Sequence, residues 1–234
     1  MTATNQYPLP FIHRPTHAAA DFIAAPSNDA ARAWLDRTTE WPDHRLALWG
    51  DPGVGKTHLL HLWAARHNAL WLAGPALHDP PDISAAPAIT LDDADAVPAD
   101  TALLHLLNTA RDLRLPILLA ARTPPARWSV RLPDLASRLR AITAVPIDPP
   151  EDSLLHALLT RLLADRQIGT DQAVLDWLLL RLPRSAAALR EAADRLDRAS
   201  LAAGGKINRK IAVSVVADMG GATQNPSPAD PSLL

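Results

Sequence analysis

The chain contains no cysteine among its 234 residues. Disulfides, thiolate zinc sites and cysteine nucleophiles are therefore excluded, which fits a reducing compartment. A basic excess is missing too. Against 23 Lys+Arg stand 25 Asp+Glu, a formal charge of -2 that falls short of an autonomous duplex-DNA-binding domain. No apolar run reaches the ~18 residues of a membrane span. The N-terminus has neither the basic start nor the apolar core of a secretory signal, so a cytoplasmic address without membrane contact is expected. No fixed-period repeat and no metal-ligand spacing among the nine histidines is visible. Lysine occurs only at 56, 206 and 210, the other cations being arginine, and this singles out Lys56.

What is present is a globular composition, with 48% hydrophobic and 21% charged residues and length for one large domain or two smaller ones. Residues 1–20 read as an extended arm, since Pro8, Pro10 and Pro15 forbid a continuous helix. A helix is expected over Ser27 to Arg37, capped by Ser27 or Asn28. Short apolar runs at 46–49, 69–73, 88–91, 117–121 and, less clearly, 142–147 are too short for helices and alternate with helical patterns at 56–67 and 101–113. Such alternation predicts an α/β base over 21–149 with a parallel sheet covered on both faces. After Pro149-Pro150 the pattern turns helical, with helices expected at 153–167, 171–182, 184–203 and 208–219 and no convincing strand. That gives an all-helical unit over 150–219 and a polar, Pro-rich tail over 220–234, expected to be disordered. The seven tryptophans are scattered rather than interleaved with a basic stripe, which points to packing rather than base stacking.

Gly50-Asp51-Pro52-Gly53-Val54-Gly55-Lys56-Thr57 matches the phosphate loop G-x-x-x-x-G-K-[ST], directly after an apolar strand and before a helix. Glycines let successive backbone N–H groups turn inward at a helix N-terminus, a lysine reaches the outer phosphates, and a threonine hydroxyl can ligate Mg²⁺. ATP or ADP with Mg²⁺ is the expected cofactor. About 35 residues on, the strand Ala88–Leu91 ends in Asp92-Asp93. Asp92 is the candidate metal partner and Asp93 the candidate for orienting a water.

Taken in order, Asp21-Phe22-Ile23, Ser27-Asn28, the run Leu48 to His61, Asp92-Asp93 and Leu132-Pro133-Asp134-Leu135-Ala136-Ser137-Arg138-Leu139 resemble the AAA+ domain of the bacterial replication initiator DnaA. The resemblance spans about residues 20–218 and implies a P-loop base with a five-stranded parallel sheet and a small helical lid. It implies a nucleotide-binding set of Gly50, Pro52, Gly53, Val54, Gly55, Lys56, Thr57 and His58, joined by Asn28 on the adenine side and by Arg184 in the lid. It also implies that Arg138 is an arginine finger for a neighbouring subunit's ATP. His61, on the helix after the loop, reads as packing or a partner contact.

Two positions depart from the family. Arg122-Thr123 follow the strand 117–121 where the initiator carries a polar sensor, often an acid, and Ala187 stands where the lid's sensor arginine is expected, with Arg184 and Arg190 on either side. Weak or no hydrolysis of the chain's own nucleotide is expected, with ADP held as a structural cofactor. Only a short tail follows Met219, so the initiator's DNA-binding domain is not expected here. Gln6-Tyr7-Pro8-Leu9-Pro10-Phe11 resembles the short motif that binds the replicative sliding clamp, with Gln6, Leu9, Pro10 and Phe11 as contact residues. Arm and body together resemble the regulatory inactivators of the initiator. Their implied partners are the sliding clamp (the β subunit of DNA polymerase III) and DnaA, with association to the nucleoid through the clamp. The oligomeric state is left open, a homo-oligomer being compatible. The rival expectation is a helicase-loader-like ATPase acting on single-stranded DNA.

Overall fold

The computed structural model describes residues 22–202 and 206–222. Five parallel strands, β1 (Arg45–Trp49), β2 (Leu70–Ala73), β3 (Ile89–Asp92), β4 (Ile117–Ala121) and β5 (Thr143–Pro146), form one sheet in the order β2-β3-β4-β1-β5. The expected α/β base with a parallel five-stranded sheet is thus present. Period two along the strands decides which layer each side chain enters. Ala47, Ile117 and Leu119 face one side, packing with Leu103, Leu106 and Leu107 of α3 (Asp100–Asp112) and with Leu135 and Leu139 of α4 (Pro133–Ala141). Leu46, Leu48, Leu118 and Ala120 face the other, against Ala31 and Leu35 of α1 (Pro26–Leu35) and Leu59, Leu60 and Trp63 of α2 (Lys56–His67). Burial on both faces explains why these strands read as unbroken apolar runs. Each fully buried leucine contributes about 1.5–3 kcal/mol from apolar area alone.

The chain beyond residue 150 forms a second apolar cluster, with Leu155, Leu159 and Leu163 of α5 (Asp152–Asp165), Leu175 and Leu178 of α6 (Gln172–Leu179) and Leu189, Ala193 and Leu196 of α7 (Ala186–Ala202). Ala212 and Val215 of α8 (Arg209–Ala222) complete it. Among the described residues, no helix is long and apolar enough to cross a membrane.

Several boundaries differ from the sequence reading, each for a local reason. Helix α1 starts one residue earlier than expected and is capped by Ala25 rather than by Ser27 or Asn28. Pro26 occupies a first-turn position where its missing N–H costs nothing. Asn28 lies one turn in, and its Oδ1 accepts the Ala25 N–H at 3.2 Å, so it secures the helix start from inside. The last strand is shorter than 142–147 because Ile142 still closes α4, its N–H donating to the Leu139 carbonyl at 3.3 Å. A small parallel pairing of β6 (Gly169–Thr170) with β7 (Lys206–Ile207) went unforeseen, two residues being too few to show an alternation.

Candidate nucleotide-binding site

The phosphate loop leaves the C-terminal end of β1 and runs into α2 through residues 50–55. Gly53 and Gly55 hold φ of +84° and +107°, a region that disfavours any residue with a Cβ. At Gly53 space adds to conformation, since a Cβ there would lie 2.7 Å from the Ser185 Cβ, just before α7 of the helical unit. The Ala186 N–H also donates to the Gly53 carbonyl at 3.4 Å. Val54 packs on the α1–α2 face, while Asp51 and Pro52 are exposed at the loop's tip.

Lys56 opens α2 with its side chain folded back into the loop, where Nζ donates to the carbonyls of Gly50 (2.6 Å) and Asp51 (2.9 Å). It is buried, and that burial pushes its pKa down, against the opposing pull of Asp92, Asp93 and Asp95. A charge that has lost water and gained only carbonyl dipoles is poised for an anion. The next side chain closes the metal half of the site. Thr57 Oγ1 donates to Asp92 Oδ2 at 2.9 Å across 35 residues of sequence. Burial pushes the Asp92 carboxyl above its ordinary value, and the Thr57 bond only partly offsets this. A hydroxyl and a half-buried carboxylate side by side fit Mg²⁺, which takes one or two protein oxygens and fills its octahedron with water and phosphate. Among the described residues no group of three or more acids and histidines converges.

Asp93 is exposed and adopts φ +48°, its own N–H turning back to Asp92 Oδ1 at 3.1 Å. Gly74, a residue the sequence reading passed over, lies directly against that turn. A Cβ on Gly74 would sit 2.0 Å from the Asp93 carbonyl oxygen, so the segment after β2 can lie against the acidic turn only without a side chain. Its Gly-Pro dipeptide, in a chain with only 9 glycines, was the available signal. Arg122, one residue past β4, has its N–H held by Asp95 Oδ2 at 3.0 Å and adds positive potential at Lys56.

A cleft beside the loop collects the remaining candidates. Phe22, Ile23 and Asn28 form one wall, Gly53, Val54, Gly55 and His58 the floor, and Pro150, Leu154, Leu158, Ala186 and Arg190 the side of the helical unit. His58 is buried, with Phe22 edge-on to its ring at 5.3 Å. The Asn28 amide shapes the wall: besides holding Ala25, its Nδ2 donates to the Ile23 carbonyl at 3.1 Å. Of the lid arginines, Arg190 lines the cleft. Arg184 does not, because it is pinned to Asp152 Oδ1 and the Pro150 carbonyl. Ala187 is exposed. His61 lies outside the cleft, stacked at 3.9 Å on Trp71 of β2.

Arg138 is placed elsewhere. It lies in the last turn of α4, paired with Asp134 Oδ2 at 3.1 Å. Helix α4 hands over to β5, whose first residue, Thr143, pairs with Leu46 at the N-terminal end of β1. The phosphate loop leaves the opposite end, a strand length away, ~13 Å at about 3.3 Å per residue. Arg45, the buried first residue of β1, lies close enough to Arg138 to feel its charge. Gln6, Leu9, Pro10 and Phe11 lie outside the described residues.

No family model matches the chain. An uncharacterized protein of Haemophilus influenzae is 28% identical over 173 residues, 67% of this chain and 74% of that protein. Among solved structures, domain III of the Thermotoga maritima replication initiation protein DnaA matches with a TM-score of 0.72 at 18% identity, over 88% of this chain and 97% of that one. A RuvB variant from Thermotoga maritima matches with a TM-score of 0.65 at 18% identity, over 83% of this chain and 69% of that one. The chain has the AAA+ fold that DnaA and RuvB share.

Proposed function

We propose that this chain is a nucleotide-bound AAA+ regulator of chromosomal replication initiation, of the kind known as Hda, which presents Arg138 to ATP held by DnaA and promotes its hydrolysis. The observation that carries the reading is the place of Arg138 on α4, which leads into the end of β5 paired with Leu46, whereas the phosphate loop leaves the other end of β1. A guanidinium on the side of the sheet away from its own Lys56 and Thr57, one-fifth exposed and held by Asp134, would serve a neighbour's site instead. There it would stabilise charge developing on the transferred phosphoryl oxygens, a contribution of about 10³–10⁵ in rate. The Asp134 pair holds the finger until a phosphate competes for it.

The chain's own site serves a different role in this reading. Lys56 and the loop N–H groups bind the phosphates of ADP or ATP, Thr57 and Asp92 would hold Mg²⁺, and the apolar cleft receives the base. Arg122 stands where the resemblance implies a polar sensor, often an acid, and Asp93 is exposed to solvent, which together favour retention of nucleotide over turnover. The Gln6–Phe11 motif supports tethering to the sliding clamp.

The test is single-turnover hydrolysis of labelled ATP preloaded on DnaA, with clamp on DNA. Arg138→Ala is expected to lower the rate by about two or more powers of ten while leaving ADP affinity unchanged. Arg138→Lys is expected to fail nearly as badly, because an ammonium lacks the planar fork that bonds two oxygens at once. Hydrolysis at the wild-type rate by Arg138→Ala refutes the reading. Turnover of the chain's own ATP that single-stranded DNA stimulates, and that survives Arg138→Ala, assigns the helicase-loader-like activity instead.

A further inference from the structure

We propose that the outer face formed by α6 and the first turns of α8 docks an acidic, amphipathic segment of a protein partner. Three large apolar side chains are conspicuously exposed among the described residues, and two of them are here: Leu180 at 82% and Val213 at 47%. Leu180 lies one turn beyond Trp177, and Val213 one turn beyond Arg209, so each shares a helix face with that residue. The Trp177 ring joins the two faces, with the Arg181 guanidinium 4.3 Å and the Arg209 guanidinium 5.7 Å from its centre. Arg181 is fixed further by a 3.4 Å bond to the Trp177 carbonyl.

The charges on this face are unbalanced. Among the described residues, Arg181, Arg209 and the exposed Lys210 have no acidic partner. Asp176, the nearest acid on α6, is engaged by Gln172 at 2.8 Å and lies 3.8 Å from His156. Arg209 and Lys210 also occupy the first turn of α8, the end where a helix's own dipole disfavours cations. Carboxylates opposite them would offset that cost.

The occupant follows from the mixture. Exposed aliphatic side chains gain from apolar side chains, and the guanidinium groups gain from carboxylates, so an acidic segment with an apolar stripe satisfies both. Single-stranded nucleic acid fits less well, because it stacks on free aromatic faces and the Trp177 ring already carries guanidinium groups. A second copy fits poorly as well. The other large apolar residue exposed among the described residues, Leu113, stands among Arg111, Asp112 and Arg114, whose net sign matches this face.

The experiment titrates the full chain into a fluorescent helical peptide with leucines along one face and glutamates beside them. A matched peptide with lysine for glutamate, labelled oligo-dT and sedimentation of the chain alone serve as comparisons. The acidic peptide is expected to bind with a dissociation constant at or below about 100 µM, weakening as salt rises. Leu180→Asp with Arg209→Glu is expected to weaken it at least about tenfold with ADP affinity unchanged, and amide exchange over 177–181 and 209–213 is expected to slow on binding. The proposal is overturned if the lysine peptide binds as well as the acidic one, or if the double variant binds like wild type. It is also overturned if oligo-dT is the ligand that depends on these residues, or if they sustain a dimer of the chain.

Discussion

Replacing Gly74 with alanine adds one methyl group at a point where the backbone of the acidic turn leaves no room for it. The new Cβ would lie 2.0 Å from the Asp93 oxygen, 2.7 Å from its carbonyl carbon and 3.1 Å from the Asp92 oxygen. Carbon and oxygen settle at about 3.3 Å even in close contacts, so the turn or the segment after β2 must retreat by about 1.3 Å. Neither is the flexible end of a side chain. The clash is expected to cost about 1–3 kcal/mol, the usual range for overpacking. At about 2–4 °C per kcal/mol for a protein of this size, the apo melting temperature should fall by about 2–12 °C. The same displacement pulls Asp92 away from Thr57, whose 2.9 Å bond has little slack. The gain in ADP affinity on adding Mg²⁺ should therefore shrink by about tenfold. Gly169→Ala is the control: it has no left-handed φ and nothing within 4 Å of the added carbon, so its melting temperature should stay or rise slightly. Scanning calorimetry of both variants, with and without ADP and Mg²⁺, decides. If Gly74→Ala melts with wild type and keeps the full Mg²⁺ effect, the acidic turn is not braced as argued.

Lys56→Ala should abolish ADP binding in titration calorimetry, and with it the ligand's contribution to stability, about 2.7 kcal/mol at a hundredfold excess over the wild-type Kd. Unchanged affinity would remove the lysine from the site. Burial holds the Asp92 carboxyl above its ordinary value, so the folded chain binds that proton more tightly than the unfolded one. Stability from this group then falls as pH rises from the unfolded pKa through the folded one, and at neutral pH the ionised carboxylate is a net cost. Apo Asp92→Asn should accordingly melt at or above wild type at pH ~7, with the gap closing in acid, while the Mg²⁺ effect on ADP affinity is lost. A gap that widens in acid would reverse the sign of the argument. Deleting residues 1–12 should remove comigration with the sliding clamp on gel filtration and leave ADP binding intact, and a truncated chain that still comigrates would refute the assignment of Gln6 to Phe11.

Legibility from sequence followed the range of the interactions. The runs that became β1, β3 and β4 were readable because burial on both faces leaves an uninterrupted apolar signature, and Lys56–His67 matched to the residue because a glycine loop and an αL residue, Asn68, bracket it. The Thr57–Asp92 pair was readable because the phosphate loop follows β1 and the acids end β3, and in a parallel sheet both strands finish at the same edge, here with β4 between them. Contacts with no periodic trace were not. Gly74 matters through the backbone of a loop nearly twenty residues away. The choice between Arg184 and Arg190 turned on an acid, Asp152, that captures one of them. Asn28 was expected as a cap because its residue type favours that position, whereas Pro26, already suited to the first turn, moved the cap to Ala25.

The seam between Gly53 and Ser185–Ala186 makes the phosphate loop and the helical unit parts of one thermodynamic cycle. A ligand that displaces the Gly53 carbonyl would disturb its bond from the Ala186 N–H, and the missing side chain at Gly53 is what lets the two segments approach. Coupling of this kind is reciprocal: whatever factor ADP imposes on a partner gripping Leu180 and Arg209, that partner imposes on ADP. A protein that seizes the helical unit could thus eject or lock a nucleotide without touching it, and the occupancy of the site would report on who is bound outside.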